Sequence, residues 1–503
     1  CVLPLATPVS VVGGWRGRGV LTEGGRDLAG EGAVALAFFI ALLQIGFQRG
    51  FFTLGGFPSD NVFIYIQAAQ YLRDHSAPSL SGPLGIHNPG TYYLTTTGTS
   101  FPNSVGSLDA AASVLTGWPV YAVHEPVLAL ARALPIGPIR FLIRAGLGGS
   151  WLTALAAGAV VATNQLSYWT IGLGFQQESL ALPLFVTGAA VAAHAFRTES
   201  IRAGILAGIV GGALPGLYLP LAALLCICVL GCFAVHLATG PTQHRRQLLR
   251  PVVAAICAGA AGAAAALYVL VADGGLAVWL GSLGSRVPAG AISKFPALPY
   301  LAGTVPLAHI WELSPQVLGS LQGAAFPFLF VASGIVLLRL VLGAVRAAIE
   351  GRAPEAALLL AGLVFVAYEG LLARYPYGYV KSIDYLVPLT SVFIAYGATG
   401  LRRIFRVLPV SESVGRTAAA LGTFALAFVL LSSALASRDM VKLWLSFDPT
   451  FTRAHLSFAG LPATLAPGAS VFVDRPTDSY GGLIEVAAIA YFLPDHPLPV
   501  SRA

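Results

Sequence analysis

Charge is what this chain has least of. Asp, Glu, Lys and Arg make up only 10% of its 503 residues, against about a quarter in soluble domains. Hydrophobic residues reach 56% and the mean hydropathy is +0.76, which excludes an ordinary water-soluble globule. Lysine is scarcer still, at positions 294, 381 and 442 only among 29 Lys and Arg; this arginine bias suits a GC-rich genome and says little about activity. The five cysteines are Cys1, at the terminus, and Cys226, Cys228, Cys232 and Cys257, inside apolar stretches. They imply neither a disulfide framework nor a zinc site, and the three that share one stretch suit helix packing. There is no Gly-Lys-Ser/Thr nucleotide loop, no His-Glu-x-x-His pair and no Gly-x-Ser-x-Gly elbow. Inverted internal repeats are not visible. Glu125, Arg132 and Glu369 are the main ionisable residues within apolar stretches, so proton-driven transport finds thin support.

What the chain has is a succession of apolar stretches of membrane-crossing length. Lipid cannot hydrogen-bond a bare backbone, so such stretches must be helices or a closed barrel, and continuous apolar runs select helices. The sequence predicts about eleven of them: 33–53, 122–143, 147–164, 177–196, 201–217, 219–238, 251–272, 319–343, 354–373, 384–400 and 417–437. Most arginines fall on alternate connections, which the positive-inside tendency makes cytoplasmic. These include Arg140, Arg144, Arg197, Arg202, Arg346 and Arg352. The net charge of +7 is mostly this topological arginine, which points to contact with membrane lipids and not to nucleic acid. The expected division is an N-terminal cytoplasmic segment at 1–32, a transmembrane domain at 33–437 with an external loop at 55–121, and an extracytoplasmic segment at 438–503. In that last segment Ala469–Asp474 reads as a strand and the stretch from Ala488 to Leu493 as part of a helix. The expectation is the start of a truncated α/β soluble domain in a fragment of a longer protein. Cys1 could alternatively be a processed lipoprotein cysteine.

The polar interruption at 55–100 is the largest on the external side. Asp60 follows Pro58-Ser59 as a helix N-cap, with Val62, Ile66 and Ala69 at helical spacing after it; this predicts a short interfacial helix, and 101–117 predicts another interfacial or re-entrant one. Between them lie His87-Asn-Pro-Gly-Thr-Tyr-Tyr and a Thr-rich run, whose hydroxyls, amides and rings suit sugar recognition or an ordinary polar loop. Gln176, Gln177 and Glu178 open the fourth stretch, where an ionisable group beside hydrocarbon is costly or is an acid favoured by the helix dipole. The loop 273–318 is long enough for a lid and identifies no substrate. Arg374 and Lys381 bracket Tyr-Pro-Tyr-Gly-Tyr on the external side, against the charge rule. A phosphate at headgroup level would give both cations a reason to be there.

Four features together resemble the type C (GT-C) glycosyltransferase superfamily, including its mannosyltransferase-like and arabinofuranosyltransferase-like members. They are Asp60 early in the first external loop with Tyr65 and Tyr71 after it, Phe101-Pro-Asn leading to Leu115-Thr-Gly, Gln177-Glu178 opening the fourth stretch, and Lys381-Ser-Ile-Asp-Tyr-Leu-Val-Pro388. The resemblance implies an all-α polytopic enzyme of the plasma membrane. It would transfer a sugar from a polyprenyl-phosphate donor to a glycan, protein or lipid acceptor on the extracytoplasmic face, with inversion. Asp60 would be the general base, Lys381, Arg374 and Tyr385 would hold the donor phosphate, and Gln177, Glu178, His87 and Tyr65 would contact sugar or acceptor. No cofactor is implied, and participation of a divalent cation stays open: Asn61 follows Asp60 where many members carry a second acid. The competing expectation is a transporter or flippase of lipid-linked sugars.

Overall fold

A computed structural model describes residues 18–50, 60–74, 104–172, 175–240, 242–272, 326–373, 376–399, 412–446, 455–466, 469–471, 489 and 491–493. Helices α1 (Arg18–Leu42) and α2 (Gln44–Arg49) are followed by α3 (Asp60–Asp74) and α4 (Ser104–Thr116). Then come α5 (Val120–Ala133), α6 (Ile136–Phe141) with a π turn at Leu142–Leu147, α7 (Trp151–Ala162) and α8 (Gln165–Gly172). The chain continues through α9 (Gln176–Thr198), α10 (Ile201–Ala213), α11 (Leu219–Thr239) and α12 (Thr242–Ala272). The last helices are α13 (Phe326–Ile349), α14 (Ala353–Ala367) with a π turn at Tyr368–Leu372, α15 (Pro376–Thr399) and α16 (Glu412–Ser446), before a 3₁₀ segment at His455–Thr464. The protein is an all-α polytopic membrane protein. Among the described residues six helices are long and apolar enough to cross a bilayer, and α7, the end of α1 and the stretch Ile201–Gly216 are shorter apolar ones.

Large apolar side chains are exposed along this bundle, among them Leu230, Ile256, Leu338, Val364, Phe424 and Leu431. In a bilayer that belt faces acyl chains, where it costs nothing. The core lies between α5, α6, α7, α9, α11, α14 and α15, around Ile139, Phe185, Leu224, Leu359, Phe393 and Tyr396. Helix α15 is the axis of the bundle and is buried almost throughout. Gly343 on α13 and Gly397 on α15 allow close backbone approach: a Cβ on the first would meet the Phe393 carbonyl, and one on the second the Arg339 carbonyl.

The two short helices expected in the first external loop are present as α3 and α4, packed on each other and on α5. Ile66, Ala69, Ala110 and Val120 form their shared core, and Tyr491 from the far end of the chain joins it, its ring 5.9 Å from that of Tyr121. Two expectations are corrected, and a third, the strand at 469–474, lies partly outside the described residues. The stretch 165–176 is not a plain loop, because α8 occupies most of it with every residue buried; Asn164 Oδ1 accepts from the Leu166 amide to start it. Helix α15 begins at Pro376 and not near 384, so Lys381 lies within a helix; proline suits a first helical turn, whose N–H groups have no intrahelical partner. Beyond α16, Ala469–Val471 is neither strand nor helix, and the described remainder is a 3₁₀ segment plus helical residues 489, 491 and 492, so the described residues give the expected α/β start no strand.

Candidate active site

The first turn of α9 and the first turns of α15 meet at one end of the bundle. Glu178, 3% exposed, forms an ion pair with Lys381, 7% exposed, through Oε1 and Nζ. An acid in the first turn of α9 is favoured by the partial positive charge of the helix N-terminus. The ammonium lies 4.2 Å from the ring centre of Phe175 and 5.7 Å from that of Tyr218, so two aromatic faces supplement the carboxylate. One turn after Lys381, the buried Tyr385 donates its hydroxyl to that of Tyr218 at 3.1 Å. Gln177 is 2% exposed, and its Nε2 has no hydrogen-bond partner among the described residues.

One layer away lies a second buried pair that sequence reasoning missed. Arg132 of α5 and Asp384 of α15, 1% and 2% exposed, approach to 2.8 Å. The Arg132 Nε also donates to Ser179 Oγ at 3.0 Å, and Ser179 donates to the Phe175 carbonyl at 2.8 Å. The Thr170 hydroxyl lies 3.0 Å from Asp384 Oδ2. Buried charges persist when paired and supplied with such further hydrogen bonds. A paired acid and base therefore does lie between apolar helices, and half of it stood out in the sequence. Arg132 was visible in the sequence; Asp384 was not, because it sits where loop and helix were expected to join.

A third group was also missed. Asp109 of α4 accepts on Oδ2 from His124 Nδ1 of α5 at 2.7 Å and from Gln176 Nε2 of α9 at 2.5 Å. All three side chains are at most 1% exposed. Asp109 Oδ1, His124 Nε2 and Gln176 Oε1 have no partner among the described residues. The one signal available in sequence was a His-Glu pair at the start of an otherwise apolar stretch.

Of the expected site residues, the structure joins Glu178 to Lys381, and places Gln177 beside Glu178 and Tyr385 on the same helix as Lys381. Tyr65 is half-buried on α3. His87 and Arg374 lie outside the described residues, and of Asp60 the backbone alone is described, as the first residue of α3. Among the described residues no three His, Cys, Asp or Glu side chains gather as metal ligands, and Glu178 is engaged by Lys381. The arrangement gathers a buried ammonium, a carboxylate and an amide in one place, groups of the kind that hold anions and hydroxyls.

No protein-family model matches the chain, and no curated protein sequence does. Solved structures do match. The apo oligosaccharyltransferase of Archaeoglobus fulgidus is 13% identical with a TM-score of 0.57, over 93% of this chain and 64% of that one. The fold is that of the GT-C glycosyltransferases. The arabinofuranosyltransferase AftD from Mycobacteria is 18% identical with a TM-score of 0.53, over 93% of this chain and 31% of AftD. ArnT from Cupriavidus metallidurans is 14% identical with a TM-score of 0.50, over 93% of this chain and 84% of ArnT. The chain thus spans just under two thirds of the length of the archaeal enzyme. At such identities the GT-C likeness is one of fold.

Proposed function

We propose that this chain is a membrane glycosyltransferase that moves a sugar from a polyprenyl-phosphate donor to a glycan, protein or lipid acceptor on the extracytoplasmic face, inverting the anomeric carbon. One observation carries the reading: in a GT-C fold, Glu178 and Lys381, 203 residues apart, meet in the buried interior at one end of the bundle. The archaeal oligosaccharyltransferase AglB, 13% identical over 91% of this chain, has been solved with a dolichol-phosphate and an inhibitory peptide, which supports the donor class. The arginines that make the opposite end cytoplasmic support both an outward-facing site and about eleven crossings.

In this reading Asp60, at the start of α3, takes the proton from the acceptor hydroxyl as it attacks. General-base catalysis of this kind contributes about 10²- to 10⁴-fold in rate. Lys381 exchanges Glu178 for the donor phosphate and, with Arg374, offsets the negative charge that grows there as the glycosidic bond breaks. Tyr385 keeps Tyr218 under the ammonium. Gln177, the released Glu178, His87 and Tyr65 orient sugar and acceptor hydroxyls.

The test uses purified protein in lipid nanodiscs with radiolabelled polyprenyl-phosphate sugar and a crude glycan acceptor. Covalent transfer by the wild type, abolished in Asp60→Asn, is the expected result. Movement of the labelled lipid between leaflets without covalent transfer would establish the transporter reading, which the buried Arg132–Asp384 pair favours because transporters place such pairs between helices. If neither transfer nor movement occurs, a non-catalytic scaffold remains.

A further inference from the structure

The proposed reaction gives Arg132 no part, yet this residue spends its hydrogen bonds unevenly. A guanidinium carries five N–H groups in a rigid fork. Nε donates to Ser179 Oγ at 3.0 Å, and Nη1 alone meets both carboxylate oxygens of Asp384, at 3.0 Å and 2.8 Å. A carboxylate more often grips an arginine through two nitrogens at once. Here Nη2, in a side chain 1% exposed, has no hydrogen-bond partner among the described residues. Asp384 does not need it, because the Thr170 hydroxyl stands 3.0 Å from its Oδ2. A buried donor left unspent is costly unless a group comes to meet it.

Glu178 is placed to do so. Glu178 and Ser179 are consecutive residues in the first turn of α9, and Arg132 already holds the second of them. Lys381 and Asp384 are three residues apart on α15, a spacing that sets two Cβ atoms about 5–6 Å apart on one helix face. The Glu178–Lys381 and Arg132–Asp384 pairs are therefore stacked about one turn apart. If a donor phosphate takes Lys381 and Glu178 finds no other cation, a buried carboxylate is left alone, and that is the costly way to break a buried pair. We propose that Arg132 Nη2 receives Glu178 as the donor phosphate displaces it from Lys381, which makes Arg132 a positioning residue for the exchange. The inference rests on the glycosyltransferase reading of Lys381. Nη1 stays on Asp384 throughout, so one guanidinium serves two carboxylates. One Glu178 oxygen is then held by Nη2, and the other is left to accept from a sugar hydroxyl.

The test measures binding of a polyprenyl-phosphate sugar to the protein in lipid nanodiscs without acceptor, so that no turnover intervenes. Arg132→Lys keeps a cation for Asp384 and removes the second arm; donor affinity is expected to fall by about 10²-fold. In Glu178→Gln no carboxylate is displaced, and adding Arg132→Lys there is expected to leave donor affinity unaltered. A pair that merely ties helices together would not show that dependence on Glu178. Arg132→Met with Asp384→Leu removes the lower pair without stranding either charge and gives a second comparison. Its donor-free melt stays near that of the wild type, its donor affinity falls by about 10²-fold, and Glu178→Gln added to it restores binding. A loss of the same size with and without the Glu178 carboxylate, or no loss in the apolar pair, overturns the exchange. A donor-bound electron cryo-microscopy map of the wild type decides without substitutions: Glu178 within about 3.2 Å of Arg132 Nη2 is expected, and Glu178 still on Lys381 overturns the proposal. A wild type that binds no polyprenyl-phosphate sugar overturns the reading of Lys381 and the exchange with it, whereas one that binds donor regardless of Arg132 overturns the exchange alone.

Discussion

The two ends of the bundle use buried charge differently. At the end where α9 and α15 finish, two arginines are tied down by backbone carbonyls and carboxylates. Arg197 donates to the carbonyls of Ala145 and Gly146 in the π turn and lies 3.3 Å from Glu355. Arg346 donates to the Tyr396 carbonyl at 2.7 Å and to Glu350 at 2.9 Å, with its guanidinium 3.8 Å above the Tyr396 ring. The Tyr396 hydroxyl in turn donates to the Leu147 carbonyl at 2.9 Å. At the end where α9 and α15 begin, the groups are just as buried, yet Asp109, His124, Gln176 and Gln177 retain atoms with no partner among the described residues. Atoms without a partner among the described residues occur at both ends, His194 Nδ1 and Arg339 Nε included, so the difference is one of partner: Arg197 and Arg346 are tied to backbone carbonyls, whereas Lys381 and Arg132 face side chains of other helices. In the proposed reading function belongs at the end where α9 and α15 begin, and substitutions at the two ends should separate stability from activity.

The largest separation is expected from Asp60→Asn, which should lower transfer by about 10²- to 10⁴-fold with no change in the thermal melt; unchanged turnover would remove Asp60 as the base. Glu178→Gln comes next. It strands the Lys381 ammonium in a buried position and should cost about 3–5 kcal/mol of stability, read as a fall in melting temperature in nanodiscs. The double change Glu178→Leu with Lys381→Met should recover most of that loss and no transfer. Recovery of transfer by the apolar pair would show the ion pair to be structural only. At the end where α9 and α15 finish, Arg197→Ala should cost about 2–3 kcal/mol through its lost charged hydrogen bonds and leave KM for the donor as in the wild type. Tyr396→Phe, which removes one hydroxyl, should cost about 1 kcal/mol and leave both kcat and KM alone. A kinetic defect in either would erase the distinction between the ends.

The helical, membrane-embedded character was legible because apolar runs of bilayer length have one structural solution. The helices of the first loop were legible too: an Asp after Pro-Ser and a short repeat of Val62, Ile66 and Ala69 mark a start and a face. Glu178 and Lys381 stood out because each breaks an apolar or charge pattern locally. Their pairing did not, since nothing in a sequence measures a contact 203 positions apart. Helix α8 was missed because it is buried on all sides and so carries no amphipathic period. The start of α15 was misplaced because Tyr-Pro-Tyr-Gly-Tyr has the composition of a turn, while the proline in fact serves the first helical turn. Asp109 and Asp384 were passed over for a related reason. A carboxylate beside small or apolar neighbours shows its importance only when the cation, the imidazole or the hydroxyls that face it come from other helices.

The aromatic faces around Lys381 have a practical corollary. A cation set against Phe175 and Tyr218 in an interior almost closed to solvent is reached poorly by dissolved counter-ions, which screen buried charges far less than surface ones. Strong brine during extraction should therefore leave this contact in place, while loosening whatever the arginines at the other end owe to anionic headgroups.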